Sequence, residues 1–342
     1  MVVEALQELG AQVHVIFAQD GSMRSDYEAR GCTTEILPHG QWLAGGYLFR
    51  EHLSVSQSRK GLAMPDFHHV LMTRFNVRIN WNHVFRGNDV DWLEERFRLF
   101  ERYCFPSVQN QTVRDFIWLV FFDADTPHLY RNRLEEFRCL PCFQPVFVAH
   151  FDRDVFRETL ATMGLLSRPW LITSRLDNDD AIPANYIERV QNSFDRQKRC
   201  FINFRYGLIL QQNRLYLGID PKSHFVSLIE ESSDPLTVYV NHTLIHDYGR
   251  VVQLDGLPGW LENRHPKRLT DKSVCPTWKP VPKYRFRDLF PAVPEFREHN
   301  IVVDQLVCQW EKVCQFKRKI SHRLRKTLLK ALNQAHNRQL VF

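Results

Sequence analysis

Two β-prone apolar runs end abruptly in aspartates, and they constrain the fold more than any other feature of this chain. FIWLVFFDADTP (Phe116 to Pro127) reads as a buried strand ending at Asp123 and Asp125. WLITSRLDNDDAIP (Trp170 to Pro183) reads as a second strand running into Asp177, Asn178, Asp179 and Asp180. Around them strands alternate with helices. HHVLMTRF (His68 to Phe75) is a strand. DWLEERFRLFERYCFPSV has Leu93, Phe97, Phe100 and Cys104 near helical spacing, with Asp91 as a start and Pro106 as the end. LYRNRLEEF is a helix, PVFVAHF a strand, and DRDVFRETLATMG a helix stopped by Gly164. ANYIERVQNSF is the next helix, followed by the strand RCFINF and a hairpin turning at Gln212-Asn213. This order predicts an α/β fold of successive βαβ units followed by antiparallel strands.

The chain has 342 residues, a net charge of +6 and 44% hydrophobic residues, enough for one large or two ordinary cores. Aromatics make up 13%, and core packing accounts for most such rings. No apolar run approaches the roughly 18 to 20 residues of a membrane-spanning helix. The N-terminus has no basic segment leading into an apolar stretch, so a secretory signal is not expected. Cys139 and Cys142 form a lone CxxC without the second pair of a structural zinc site. Reduced cysteines and a cytoplasmic location follow.

Four regions differ in pattern. Residues 1–50 read as a partial αβαβ unit, with strands at Val13 to Phe17 and Thr34 to Leu37. "ELGAQVHVI…DG…Y…G" resembles a fragment of the N-terminal half-domain of GT-B glycosyltransferases. The preceding strand and Gly-rich loop are missing, so a remnant is expected there and not a working site. Residues 51–66 read as a linker, 67–311 as the main domain, and 312–342 as a basic amphipathic helix.

In open α/β sheets ligands sit beyond the carboxyl ends of the strands. Aspartates at i and i+2 of a strand-to-turn segment can face one ion. Hard carboxylate oxygens suit Mg²⁺ or Mn²⁺, which bridge phosphate oxygens. The other reading of an Asp/Asn-rich turn is a helix cap and solvated loop.

HVLMTRFNVR (His69 to Arg78), RFRLFERYCFPSVQNQ (Arg96 to Gln111), FIWLVFFDADTP and TSRLDNDDAIP together resemble a bacterial family of rhamnosyltransferases over about residues 67 to 265. The resemblance implies a GT-A-like, Rossmann-type mixed sheet flanked by helices. It also implies a nucleotide-sugar donor such as dTDP-rhamnose. On this sequence it implies Asp177 and Asp179 as metal ligands and Arg175 at the diphosphate. Asp123 would be at the base or ribose, with Arg74 and Asn76 near the nucleotide.

An inverting transfer also needs a base for the acceptor hydroxyl, usually a carboxylate. Glu230, after the strand-like FVSLI, is the first candidate, and Asp304 is a second. His242 and His265 are candidates to complete a metal sphere, and Trp260 is a candidate to stack on a sugar face or pack in the core. From Lys312 to Phe342 there is no acid, against Lys312, Lys317, Arg318, Lys319, Arg323, Arg325, Lys326, Lys330 and Arg338. LRKTLLKAL places Leu324, Leu328, Leu329 and Leu332 on one side of a helix, which suits an anionic membrane surface at the inner face. A glycan or lipid-linked acceptor fits that placement, and no nucleic-acid module is recognisable. Two rivals remain. One is a nucleotidyltransferase, although a Gly-rich phosphate loop is missing after the first strand. The other is a degenerate transferase fold serving as a membrane scaffold.

Overall fold

The computed structural model describes residues 14–17, 33–36, 65–78, 87–265, 279–297, 301–317 and 320. The expected N-terminal helices, the linker as far as residue 64 and the amphipathic helix through Leu324 and Leu332 lie outside the described residues. The chain divides into two compact units, Met1–Met64 and Pro65–Phe342. In the first, β1 (His14–Phe17) pairs in parallel with β2 (Thr33–Ile36).

The second unit is built on a seven-stranded mixed sheet. Its strands are β3 (Phe67–Arg74), β4 (Ile117–Asp123), β5 (Phe143–Val148), β6 (Trp170–Arg175), β7 (Cys200–Phe204), β10 (Val226–Glu231) and β11 (Arg250–Leu254), in spatial order β11-β7-β10-β6-β3-β4-β5. β10 runs antiparallel to both neighbours, and the pairs β3–β4, β4–β5 and β3–β6 are parallel. This is the mixed α/β sheet, flanked by helices, that the resemblance implies. A smaller sheet holds β8 (Tyr206–Gln211), β9 (Arg214–Ile219), β12 (Leu261–Arg264) and β13 (Lys279–Pro280), in order β12-β8-β9-β13. β8 and β9 form the expected hairpin, and Gln212 and Asn213 take φ of 49° and 58°, as a tight two-residue turn requires.

The apolar runs are apolar because both faces of the large sheet are covered. Trp118, Val120 and Phe122 point into one core, and Leu119 and Phe121 into the other. On the first face lies α1 (Val90–Leu99), which continues through a π-helical turn at Phe100–Cys104 into α2 (Phe105–Gln109). The sequence puts the end of this helix at Pro106. Instead Pro106 sits in the first turn of α2, where its missing N–H is no loss. The Phe105 N–H reaches back five residues to the Phe100 carbonyl, which absorbs the register change. Phe97, Phe100, Cys104 and Phe105 therefore all reach the core, and Phe100 packs on Trp118 and Phe137 with centroids 5.5 and 5.2 Å apart. The other face is covered by α4 (Arg153–Thr162) through Phe156 and Leu160; its N-cap Asp152 accepts from the Val155 N–H. Two more helices, α3 (His128–Arg133) and α5 (Tyr186–Gln191), follow β4 and β6.

Trp260 belongs to this packing and not to a sugar face. It is 3% exposed, donates through Nε1 to the Phe204 carbonyl, and stacks on Phe225 at 5.5 Å. Gly207 and Gly218, opposite each other on β8 and β9, leave room for the indole. A Cβ on Gly207 would lie 1.9 Å from the ring, and one on Gly218 2.7 Å.

Two predictions follow from this packing. Gly207→Ala should destabilise the unit by about 3 kcal/mol in urea unfolding, and adding Trp260→Leu should recover part of the loss. His69, 3% exposed with Nε2 2.8 Å from Ser174 Oγ, is pushed down by burial to about 3. Its folded value is depressed below the unfolded 6.5, so the unfolded chain gains a proton first as pH falls. Its contribution is complete above pH 6.5 and is lost between pH 6.5 and about 3, at up to roughly 1.4 kcal/mol per pH unit. Unfolding midpoints of wild type and His69→Gln across that window check it, the variant being expected to show the shallower slope.

Candidate active site

Three adjacent parallel strands, β4, β3 and β6, deliver their carboxyl ends to one edge of the sheet. At the end of β6 the chain turns sharply, and the Asp180 N–H reaches the Asp177 carbonyl at 3.3 Å. Beyond the turn Ala181 bridges to Leu261 at the start of β12, which pins the exit. Asn178 is buried and donates through Nδ2 to the Phe75 carbonyl at 3.0 Å, so β3 holds the middle of the turn.

Each of the three carboxylates meets different partners. Asp177 accepts the fork of Arg175 at 3.1 and 3.0 Å, and Arg74 stands 3.6 Å away. Burial pushes its carboxyl up, but Arg175, Arg74 and His224 outweigh that and hold it well below the usual carboxylate range. Asp179 accepts from Arg96 of α1 at 2.6 Å and pairs with His265 at 2.9 Å. Asp180 accepts the Asn263 N–H at 2.8 Å and lies 3.1 Å from His224 Nε2. Burial, and then the Asp179 carboxylate beside it, push the Asp180 carboxyl upward.

Asp177, Asp180 and His224 each present one donor atom, all within 4.8 Å of one another. Two hard oxygens and an imidazole nitrogen can hold a divalent cation, and a cation there would favour the charged form of the Asp180 carboxyl that its surroundings disfavour. Of the pair expected from the sequence, Asp177 belongs to this cluster and Asp179 lies outside it. The turn places i and i+3 together, and Asp179 is directed at Arg96 and His265. His265 serves Asp179, and the His242 ring centroid is 6.1 Å from that of His224. Burial, and then Arg175 and His224, push His242 down to about 4.

The end of β4 is a separate constellation. Asp123 is 1% exposed and receives Arg78 at 2.7 Å, Asn88 at 3.0 Å and the Asp125 N–H at 2.9 Å. Asn76 is buried, donating to Gly87, Asn88 and Thr126 and accepting the Asp123 N–H. Asn76 and Asp123 are therefore occupied by protein partners. Asp123 holds Arg78, whose side chain is 45% exposed.

Glu230 is not brought to this edge. It pairs in register with Leu171 near the start of β6, whereas the acidic turn follows the end of that strand. Its buried carboxylate accepts the Leu236 and Thr237 N–H groups, both at 2.8 Å, and so closes its own loop. Asp304 accepts from the Tyr284 N–H.

Asp180 was read in the sequence as part of the acidic run but not as a donor, and Arg96, His224 and Arg78 were not singled out. Arg96 had a signal: it falls on the apolar face of α1 between Leu93 and Phe100, where a charge demands a buried partner. Ser107 and Gln111 complete that motif's role. Ser107 Oγ accepts the Ile182 N–H, and Gln111 bonds the Pro183 carbonyl and the Ile187 N–H. The helix thus grips the segment that leaves the acidic turn.

The family model described as "Putative rhamnosyl transferase" matches residues 87–273. No curated protein matches the chain. Among solved structures, residues 1–349 of TarS from S. aureus in complex with UDP are similar at 11% identity and a TM-score of 0.36, over 58% of this chain and 61% of that one. The inositol-1-phosphate CTP transferase of T. maritima is similar at 11% identity and a TM-score of 0.30, over 59% of this chain and 91% of that one. Mouse xyloside xylosyltransferase 1 is similar at 11% identity and a TM-score of 0.24, over 41% of this chain and 52% of that one. The chain thus spans about three fifths of the TarS fragment's length.

Titration of Mn²⁺ by calorimetry tests the donor set. Asp180→Asn and His224→Ala should weaken binding at least about tenfold, as removal of an inner or supporting group does at metal sites. Asp179→Asn should change affinity less and cost about 2 kcal/mol of stability, since it weakens the pairing of buried Arg96. Equal loss of Mn²⁺ affinity in Asp179→Asn and Asp177→Asn would return Asp179 to the donor set.

Proposed function

Because the chain belongs to this rhamnosyl transferase family, we propose that it is a glycosyltransferase moving a sugar, rhamnose by the family's description, from a nucleotide-sugar donor to a glycan or lipid-linked acceptor. The observation that carries this reading is the convergence of Asp177, Asp180 and His224 beside Arg74 and Arg175 at the carboxyl ends of β3 and β6. Asp177, Asp180 and His224 would hold a divalent cation, Mn²⁺ or Mg²⁺, which would supply positive charge for the departing diphosphate. The imidazole donor favours Mn²⁺.

The chain's own residues set the geometry. Arg175, held by its fork on Asp177, fixes that carboxylate and adds a positive charge beside it. Arg74 has 27% of its side chain exposed and a single long contact to Asp177, which leaves its guanidinium able to meet a phosphate oxygen. Arg78, held by Asp123, adds a further positive charge near the end of β4. Arg96 and His265 keep Asp179 paired, so the turn does not rearrange when a charged ligand enters. Glu230, at the far end of β6, is out of reach of an acceptor hydroxyl at this edge and serves the fold.

Thermal unfolding with dTDP-, UDP- and GDP-sugars, with and without Mn²⁺, tests the reading. A donor at a hundred times Kd should stabilise by about 2.7 kcal/mol. That shift should need the cation and be lost in Asp177→Asn and Asp180→Asn. Glu230→Gln should keep turnover within about threefold of wild type while losing about 1–2 kcal/mol of stability. Release of nucleoside diphosphate marks glycosyl transfer, whereas release of pyrophosphate from a nucleoside triphosphate would mark a nucleotidyltransferase. Well-folded protein that shifts with no nucleotide sugar would remove the proposal.

A further inference from the structure

Residues 301–317 form a helix whose polar and apolar faces are reversed. The stripe turned towards the rest of its unit carries Asp304, Cys308, Glu311 and Gln315, at spacings that stack on one side of a helix. Glu311 is 1% exposed and receives Arg214 at 2.6 Å. Cys308 donates to the Pro280 carbonyl at 3.4 Å, and Asp304 accepts from the Tyr284 N–H at 3.3 Å. The helix is thus fastened to the β8–β9 hairpin and β13 through polar groups. Its opposite side carries Leu306, Trp310, Val313 and Phe316, which are 63%, 60%, 47% and 66% exposed. Ile320, 44% exposed, continues the stripe. An amphipathic helix of a globular protein normally turns the apolar side inward.

Charge identifies the occupant. Lys312 and Lys317 accompany the stripe, and no Asp or Glu follows Glu311 to the end of the sequence, where seven further Lys and Arg stand. A second copy of the chain would bring two such runs together and be repelled. A bilayer interface with anionic headgroups is matched both to the basic residues and to the apolar side chains, and it is where a Trp ring settles. No helix among the described residues is long and apolar enough to cross a membrane, so the geometry calls for a helix lying on the surface.

We propose that the outer face of the 301–317 helix, centred on Leu306, Trp310, Val313 and Phe316, docks onto an anionic lipid bilayer, with the basic C-terminal sequence supplying the attraction to headgroups. The proposal stands apart from the transferase reading, because lipid binding is measured without donor or turnover.

The test is co-sedimentation of the full chain with vesicles of phosphatidylcholine alone or mixed with phosphatidylglycerol. Binding is expected to the mixed vesicles at low salt, to weaken as salt rises, and to be slight on neutral vesicles. Leu306→Ser/Trp310→Ser/Phe316→Ser should bind at least about tenfold more weakly, with an unchanged far-UV spectrum since all three positions are exposed. Lys312→Gln/Lys317→Gln should also weaken binding. Trp emission should shift to the blue on mixed vesicles, and part of that shift should vanish in Trp310→Phe while binding persists. No binding to anionic vesicles, or equal binding by the triple Ser variant, would overturn the proposal. So would a dimer in light scattering that the triple Ser variant dissolves, with vesicles left unbound, which would give the face to a second copy.

Discussion

Three carboxylates within four residues, at the end of a buried strand, are the constraint around which the unit is arranged. Buried charge is tolerated only when paired. The partners come from separate parts of the chain: Arg74 from β3, Arg96 from α1, Arg175 from β6, His224 from just before β10, and His265 from just after β12. The acidic turn is thus tied to five segments at once. These contacts fix the conformation of the turn from several sides.

The pairing is uneven, and the unevenness has chemical meaning. Asp179 is matched by a guanidinium and an imidazole, and Asp177 by two guanidinium groups. Asp180 faces a histidine and a backbone N–H, with Asp179 beside it, and its charged form is the least favoured of the three. Asp180 and Asp177 meet His224 at this point, with donor atoms all within 4.8 Å.

The aromatic core explains why the turn can hold this position. Phe75, at the end of β3, packs on Phe97, Phe100 and Phe122 with centroids 4.6, 5.4 and 4.8 Å apart. Its carbonyl accepts Asn178 of the turn. α1 carries Phe97 into that cluster and, one residue earlier, Arg96 to Asp179. The Phe content that marks the sequence therefore serves to lock the helix that carries the counter-charge. Offset and edge contacts between rings give such a cluster a defined geometry.

Much of this was legible in the sequence because it is local. The short aromatic and β-branched run FIWLVFFD, bounded by acids, formed the buried strand its composition favours, and Gly164 stopped its helix at a φ of 68°. The position of Asp177 at the sheet edge could be read because it follows a buried strand within two residues. The tertiary structure decided what depends on side chains arriving from elsewhere. It paired Asp179 with Arg96 and His265, both remote in sequence, and brought Asp180 beside Asp177 and His224. It sent Glu230 to the opposite end of the sheet, because β10 enters antiparallel between β6 and β7 and reverses which end of the strand meets the site. It buried Trp260, because two glycines on different strands lie opposite each other. Local pattern determines which residues form strands, helices and turns. Which charges meet is set by strand order and direction, and no single stretch of sequence carries that information.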